Sequence, residues 1–383
     1  MRIAEMIARE DFFTILENTL NTYFRLVRNA DDAFSYEEGP GEKLIINAKL
    51  GFISRFPAPR GLLTFLNGEY NIRGNFAKYL AGHAAATLIW AFPQLGQTRT
   101  CRIAKGLLGK NAFIYPQNRS VRIFDYESGQ VDCIVKSGFS DKYFNNQLQF
   151  RLAHRYDFMV PLSAHGDIWF REPILDGHPL ARTKNGKAYQ KGLDDAVRGI
   201  RRLAEDTRSE VCASEYAQAL LADIEPKLRR AAGEKQIQYS EPLLHTAQAA
   251  AEILSRSDTV ELCLGHGDFQ SGNIWVDPSG KTYIYDWETV GRRSVWYDSA
   301  VLNYSLRRAY GWKSLLDCAA PEAMRACEQS KRRAPDYAAM KSAVWLEDIL
   351  FYLDDLLELP GISGREIFDA FAGRMVKLWN GEA

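Results

Sequence analysis

The sequence predicts an α+β chain of two lobes, a small β-rich one followed by a larger helical one, with a mostly helical extension ahead of both. Three observations carry this. Residues 113–136 hold short β-rich runs around a Gly-containing turn. From residue 187 onward, apolar positions recur at helical spacing in segments 189–205, 213–231 and 241–255. A compact β-rich insert at Leu262–Tyr285 then interrupts the helices, which resume after it.

Taken in order, residues 4–28 read as one amphipathic helix through Met6, Phe12, Leu16, Leu20 and Phe24. A loop at 38–42 follows, then a strand-like Leu44–Ile46 and an Ala-rich helix at 74–92 closed by Pro93. Phe113–Tyr115 is a strand candidate, Val121–Tyr126 a second, and Val131–Lys136 the returning strand of a hairpin. Residues 141–154 read as helix, Asp167–Phe170 as a strand, and Leu175–Pro179 as a hinge. A long helix spans 336–358, between Pro335 and Pro360. These boundaries divide the chain into 1–100, an extension with no motif of its own, a first lobe at 101–176 and a second at 177–383.

Composition narrows the function. The 383 residues carry 48 basic and 48 acidic side chains, a formal net charge of zero. That balance argues against a nucleic-acid coat or a polybasic membrane binder. Glu5, Arg9, Glu10 and Asp11 interrupt any signal-peptide core, and Ala84–Phe92 falls far short of the roughly 20 apolar residues of a spanning helix. The six cysteines form no CxxC pair, so reduced, mostly buried thiols in the cytoplasm are expected and a zinc site is not.

The chemistry concentrates in the insert. It reads Leu264-Gly265-His266-Gly267-Asp268, continues to Asn273, turns at Pro278-Ser279-Gly280, and returns through Tyr285-Asp286-Trp287-Glu288. Folding two strands together at that turn brings Asn273 and Asp286 to one end of a hairpin, with Asp268 on the loop just before it. Their oxygens are hard donors suited to Mg²⁺.

This H-G-D-x-x-x-x-N pattern followed by D-W-E resembles the aminoglycoside phosphotransferase and choline kinase family, whose members share the bilobal protein-kinase-like fold. The resemblance covers roughly residues 101–383. It implies a Mg-ATP-dependent phosphotransferase acting on a hydroxyl of a small molecule or glycan, such as a sugar, amino-sugar or amino alcohol. It implies that Asp268 orients the acceptor hydroxyl and takes its proton, that Asn273 and Asp286 hold magnesium, and that His266 braces the loop. Asp298 would cap a helix and steady that loop. Asp298 lies only 12 positions after Asp286, too few for the activation segment of a protein kinase.

On the nucleotide side, the resemblance gives Lys136 to the α- and β-phosphates, although a solvated strand-end lysine reads the same in sequence. The glutamate expected on the next helix is absent, and Gln147 stands there. The loop 116–120 lacks the usual glycines and offers Arg119 and Ser120, while Lys105–Lys110 is an alternative one strand earlier. Adenine would meet backbone near Glu172–Leu175.

For the acceptor, Asp348, Tyr352 and Asp355 share one face of helix 336–358, beside Trp345. That face can hold an amine or simply be solvated. Arg325, Lys331, Arg332 and Arg333 can equally meet an anion. The departures at Gln147 and in the glycine-poor loop keep two further readings open: a pseudokinase that binds nucleotide as a scaffold without turnover, and transfer of AMP in place of phosphate. Residues 1–100 are the place for a partner or homo-oligomer contact.

Overall fold

The computed structural model describes residues 3–70, 76–183, 186–308, 310–317, 336–359 and 361–382. Two compact units divide the chain. One joins Met1–Ala196 to Gly272–Glu288, and the other joins Val197–Ser271 to Thr289–Ala383.

The first unit is built on a nine-stranded sheet. In chain order it contains α1 (Ile3–Arg9), α2 (Phe12–Arg28), β1 (Phe34–Ser35), β2 (Glu42–Asn47), β3 (Phe52–Arg55), α3 (Arg60–Tyr70), α4 (Phe76–Ala91) and β4 (Gln97–Ile103). Then come β5 (Ala112–Pro116), β6 (Ser120–Asp125), β7 (Gln130–Val135), α5 (Lys142–Ala153), β8 (Ala164–His165) and β9 (Trp169–Pro173). The strand order is β1-β4-β2-β3-β5-β6-β7-β9-β8. Besides its helices, the first hundred residues therefore add strands to the same sheet as the predicted hairpin. Short apolar runs such as Phe52–Arg55 carry too few periods to be read alone, and sheet pairing decides them.

The predicted helix over 4–28 is broken. The amide of Phe12 donates to the carbonyl of Glu10 at 2.7 Å, and α1 and α2 meet at that turn. Ile3 and Met6 of α1 and Phe12, Leu16 and Leu20 of α2 all reach one apolar cluster with Ile114 and Ile134 of the sheet. The opposite face of the sheet carries two further clusters. One gathers Phe65 of α3 with Phe113, Phe124 and Val131. The other gathers Phe144 and Leu148 of α5 with Cys133, Val135 and Phe170.

The hairpin from the insert also belongs to this unit. Strands β13 (Ile274–Val276) and β14 (Thr282–Ile284) pair antiparallel, and β10 (His178–Pro179) extends them to three. Gly177, at the predicted hinge, has φ 131°, and a Cβ there would meet the Val276 carbonyl at 2.2 Å. Only glycine lets the hinge backbone lie against the hairpin.

Helix α6 (Lys187–Thr207) leads from the first unit into the second. In the second unit, α7 (Ala213–Lys235), α8 (Ser240–Leu254) and the helix Tyr337–Leu357 share a core through Ile224, Leu243, Ala247, Trp345 and Ile349. A three-stranded sheet of β11 (Ser209–Cys212), β12 (Thr259–Gly265) and β15 (Gly291–Ser294) carries the loop that starts at His266. Helix α9 (Tyr297–Asn303) follows β15. Cys101, Cys133, Cys212 and Cys263 are free thiols, and all but Cys212 are buried. Cys318, Cys327 and the basic cluster Arg325, Lys331, Arg332 and Arg333 lie outside the described residues. Among the described residues, no helix is long and apolar enough to cross a membrane.

Candidate functional site

In the second unit the loop after β12 is held by one carboxylate. Asp298, in the first turn of α9, accepts from the amide of His266 at 2.6 Å and from that of Gly267 at 2.9 Å. Gly267 sits at φ 86°, where a Cβ would lie 2.5 Å from the Thr289 carbonyl. His266 is fully buried, its Nδ1 accepts from the Asp268 amide at 3.2 Å, and its carbonyl accepts from the Thr289 hydroxyl at 2.9 Å. These bonds fix the loop backbone on both sides of Asp268.

Asp268 does not stand alone on this loop. Its Oδ1 accepts from Arg307 Nε at 2.8 Å and its Oδ2 from Gln270 Nε2 at 2.8 Å. Burial pushes its pKa up, but the Arg307 charge and the two hydrogen bonds outweigh that and hold it below the usual carboxylate range. Arg307 also donates to Asp348 at 2.6 Å and to the Gly267 carbonyl at 2.8 Å, and its guanidinium lies 3.8 Å from the Phe351 ring centroid.

Asp348 and Glu347 therefore play a different part from either reading of an exposed acidic face. Asp348 is fully buried and also accepts from Tyr297 and from the Trp312 indole, both at 2.8 Å. Glu347 is buried too and accepts from the Ser294 hydroxyl at 2.8 Å and from Tyr216 at 2.6 Å. Both acids anchor neighbouring segments of the second unit.

In the first unit, a cavity of about 270 Å³ opens beside the hinge. Its walls include the strand-to-hinge run Glu172–Gly177, Asn273 and Asp286 of the hairpin ends, and the aromatic rings of Phe65, Phe124 and Tyr285. The Tyr285 amide donates to the Asn273 carbonyl at 2.9 Å, so the two hairpin ends are locked in register. Asp286 adopts φ 65°, a left-handed conformation that costs on the order of 1 kcal/mol outside glycine. Such a conformation at a cavity wall marks a side chain whose direction is set by the fold. Among the described residues, no group of three or more His, Cys, Asp or Glu is placed to hold a metal. Asn273 and Asp286 offer two oxygen donors, which suits an ion that takes its other ligands from phosphate and water.

The residues predicted to hold the nucleotide fall elsewhere. Lys136, Arg119, Ser120 and Gln147 are not among the cavity walls. Arg119 pairs with Glu288 at 3.1 Å and stacks over Tyr143 at 4.1 Å. Ser120 donates to Gln117 Oε1 at 3.1 Å. Lys136 is buried and donates to Glu10 Oε1 at 2.7 Å and to Met6 Sδ at 3.1 Å. Burial lowers its pKa to about 8, against the raising effect of Glu10.

The contact imagined between Lys136 and Gln147 does not form, because the two lie on opposite faces of the sheet. Along β7, Asp132 and Ile134 face α2, through a bond to Tyr23 and the α2 cluster. Cys133 and Val135 face α5. Side chains alternate along a strand, so Lys136 follows Ile134 and turns away from α5.

Sequence reasoning reached Glu172 through the hinge but missed Glu10, Phe65, Arg122 and Arg307. Arg122 had a signal: the strand Val121–Tyr126 alternates, so its single basic side chain stands on the face opposite Val121 and Ile123. The others come from distant segments with no spacing pattern between them.

A family model described as the phosphotransferase enzyme family matches residues 148–340, half of the chain. Among solved structures, similarity extends to a Plasmodium vivax ethanolamine kinase, at 11% identity and TM-score 0.47, covering 70% of this chain and 83% of that one. A choline/ethanolamine kinase family protein from Mesorhizobium loti matches at 15% identity and TM-score 0.47, covering 71% and 87%. An aminoglycoside phosphotransferase from Streptomyces rimosus matches at 13% identity and TM-score 0.41, covering 62% and 92%. No curated protein sequence matches the chain.

Proposed function

Since the chain belongs to the phosphotransferase enzyme family, we propose that it transfers the terminal phosphoryl group of ATP, held with Mg²⁺, to a hydroxyl of a small molecule or glycan. The observation that carries this reading is the cavity that unites Asn273, Asp286 and the hinge run Glu172–Gly177. The hinge offers backbone donors and acceptors to a base, and Phe65, Phe124 and Tyr285 offer rings for it to lie against. Asn273 and Asp286 are the residues to hold magnesium, which neutralises charge on the phosphates.

Asp268 takes the role of orienting the acceptor hydroxyl. Phosphoryl transfer passes through a loose transition state, so a carboxylate of low pKa suffices to align the hydroxyl and accept its proton. Asp298 and His266 keep that carboxylate's backbone in place. Arg307 keeps it ionised.

The ion pair of Asp268 with Arg307 equally favours a second reading, a nucleotide-binding module without turnover, since a carboxylate committed to a guanidinium is less available to a hydroxyl. The experiment is an acceptor screen with γ-labelled ATP over sugars, amino-sugars and amino alcohols, alongside ATP binding and product mass. Label transfer by the wild type and its loss in Asp286→Ala and Asp268→Asn are expected. Undiminished transfer by purified Asp286→Ala would sink the reading. ATP binding with no ADP release on any acceptor would favour the module, and an added adenylate on product would indicate AMP transfer.

A further inference from the structure

We infer, resting on the ATP reading above, that Arg122 on β6 supplies the positive charge that binds nucleotide phosphate in this cavity, in place of Lys136.

The geometry starts from the period of two along a strand. On β6, Val121 and Ile123 sit in the α2 cluster, while Arg122 and Phe124 stand on the other face and line the cavity. Arg122 is paired in register with Cys133 of β7, which itself faces α5. The lysine one strand later, at the end of β7, falls on the α2 face and is buried against α1. A phosphate in the cavity therefore meets the β6 side chain, with the sheet between it and Lys136.

Charge counting points the same way. Among the described residues lining the cavity, the acids are Glu69, Glu172, Asp176 and Asp286, and Arg122 is the sole base. Glu172 is shared, since its Oε2 takes Arg151 Nη2 at 2.6 Å and its Oε1 lies 3.6 Å from Arg122 Nη1. Arg151 thus shares Glu172 with Arg122, while Asp286 and Glu69 also lie within electrostatic reach of Arg122, so the lone guanidinium is the cavity's one fixed positive charge among the described lining residues. Arg122 Nε is held by Gln117 Oε1 at 2.8 Å, which orients the guanidinium. Its Nη2 has no hydrogen-bond partner among the described residues, leaving donors for a ligand. A planar fork of donors is matched to phosphate oxygens.

Calorimetric titration with MgADP, ADP and adenosine tests this. Adenosine shares the base and ribose but has no phosphate. In Arg122→Met, MgADP affinity is expected to fall about 10- to 100-fold, the worth of a charge-assisted hydrogen bond, with adenosine affinity unchanged. Arg122→Lys, which keeps charge but not the fork, should fall between. Lys136→Met should lose less than Arg122→Met. A readout on the wild type needs no variant: phenylglyoxal modification of Arg122, mapped by mass spectrometry, should be blocked by MgADP and not by adenosine. Equal modification with and without MgADP, or loss of MgADP binding in Lys136→Met but not in Arg122→Met, would overturn the assignment while leaving the ATP reading intact. A wild type that binds neither MgADP nor ATP would remove both.

Discussion

Lys136 offers a test of how the first hundred residues are joined to the sheet. Its side chain has no exposed surface, and its charge rests on Glu10, with the rings of Phe139 at 5.3 Å and Phe12 at 5.8 Å from Nζ. Burial brings its pKa down from 10.5 to about 8 in the folded protein. Between those two values the unfolded chain binds more protons than the folded one, so this group makes stability rise with pH. A shift of that size amounts to about 3 kcal/mol across the interval, or about 1 kcal/mol per pH unit. Below pH 8 the full cost of the buried ammonium is present.

Lys136→Met removes that titration and keeps most of the side-chain volume. Urea unfolding of the first unit, followed at pH 7.5, 8.5 and 9.5, should show the wild type gaining stability relative to the variant as pH rises. Taking the difference cancels the buried Cys and Tyr groups, which titrate alike in both proteins. In Glu10→Gln the rise should begin at lower pH, because the raising effect of Glu10 is gone. Parallel curves for wild type and Lys136→Met would refute a buried, Glu10-paired ammonium and detach α1 from β7.

Two further outcomes follow from the second unit. Asp298→Ala strips the buried amides of His266 and Gly267 of their acceptor, which should cost about 2–5 kcal/mol and speed hydrogen exchange at those amides; unchanged exchange would show that the loop holds itself. Arg307→Met removes the charge that keeps the Asp268 pKa low while its burial remains, so a carbon-13 titration of that carboxylate should move to higher pH. An unmoved titration would refute Arg307 as the cause.

The strongly patterned parts of the chain were legible. The hairpin of β6 and β7, the helix α5 and the Asn273–Asp286 hairpin each declare themselves through alternation, period or turn residues. The break between α1 and α2 was not, because Glu10-Asp11 carries neither glycine nor proline, and tertiary contacts of Met6 and Glu10 set it. The acids of Tyr337–Leu357 misled for a related reason. Adjacent Glu347 and Asp348 are both buried, which requires a helix covered on most sides, whereas a shared face presumes one exposed side. Alternation also held information that the lysine's position at a strand end obscured, since it separates Lys136 from Arg122 across the sheet.

The first unit borrows residues 272–288 from far along the chain. Strand β10 ends at residue 179, yet its partner β13 starts at residue 274. During synthesis, at roughly 5–20 residues per second, β10 waits on the order of ten seconds for that partner. The nine-stranded sheet can form in the meantime, but the cavity cannot, because Asn273, Trp275 and Asp286 have yet to emerge. On the proposed reading, the cavity that would take nucleotide is completed only after β12 and the loop bearing Asp268 have been made. A fragment ending before residue 272 would keep all nine strands of the large sheet yet leave β10 without its partner β13 and the cavity without the wall that the hairpin supplies.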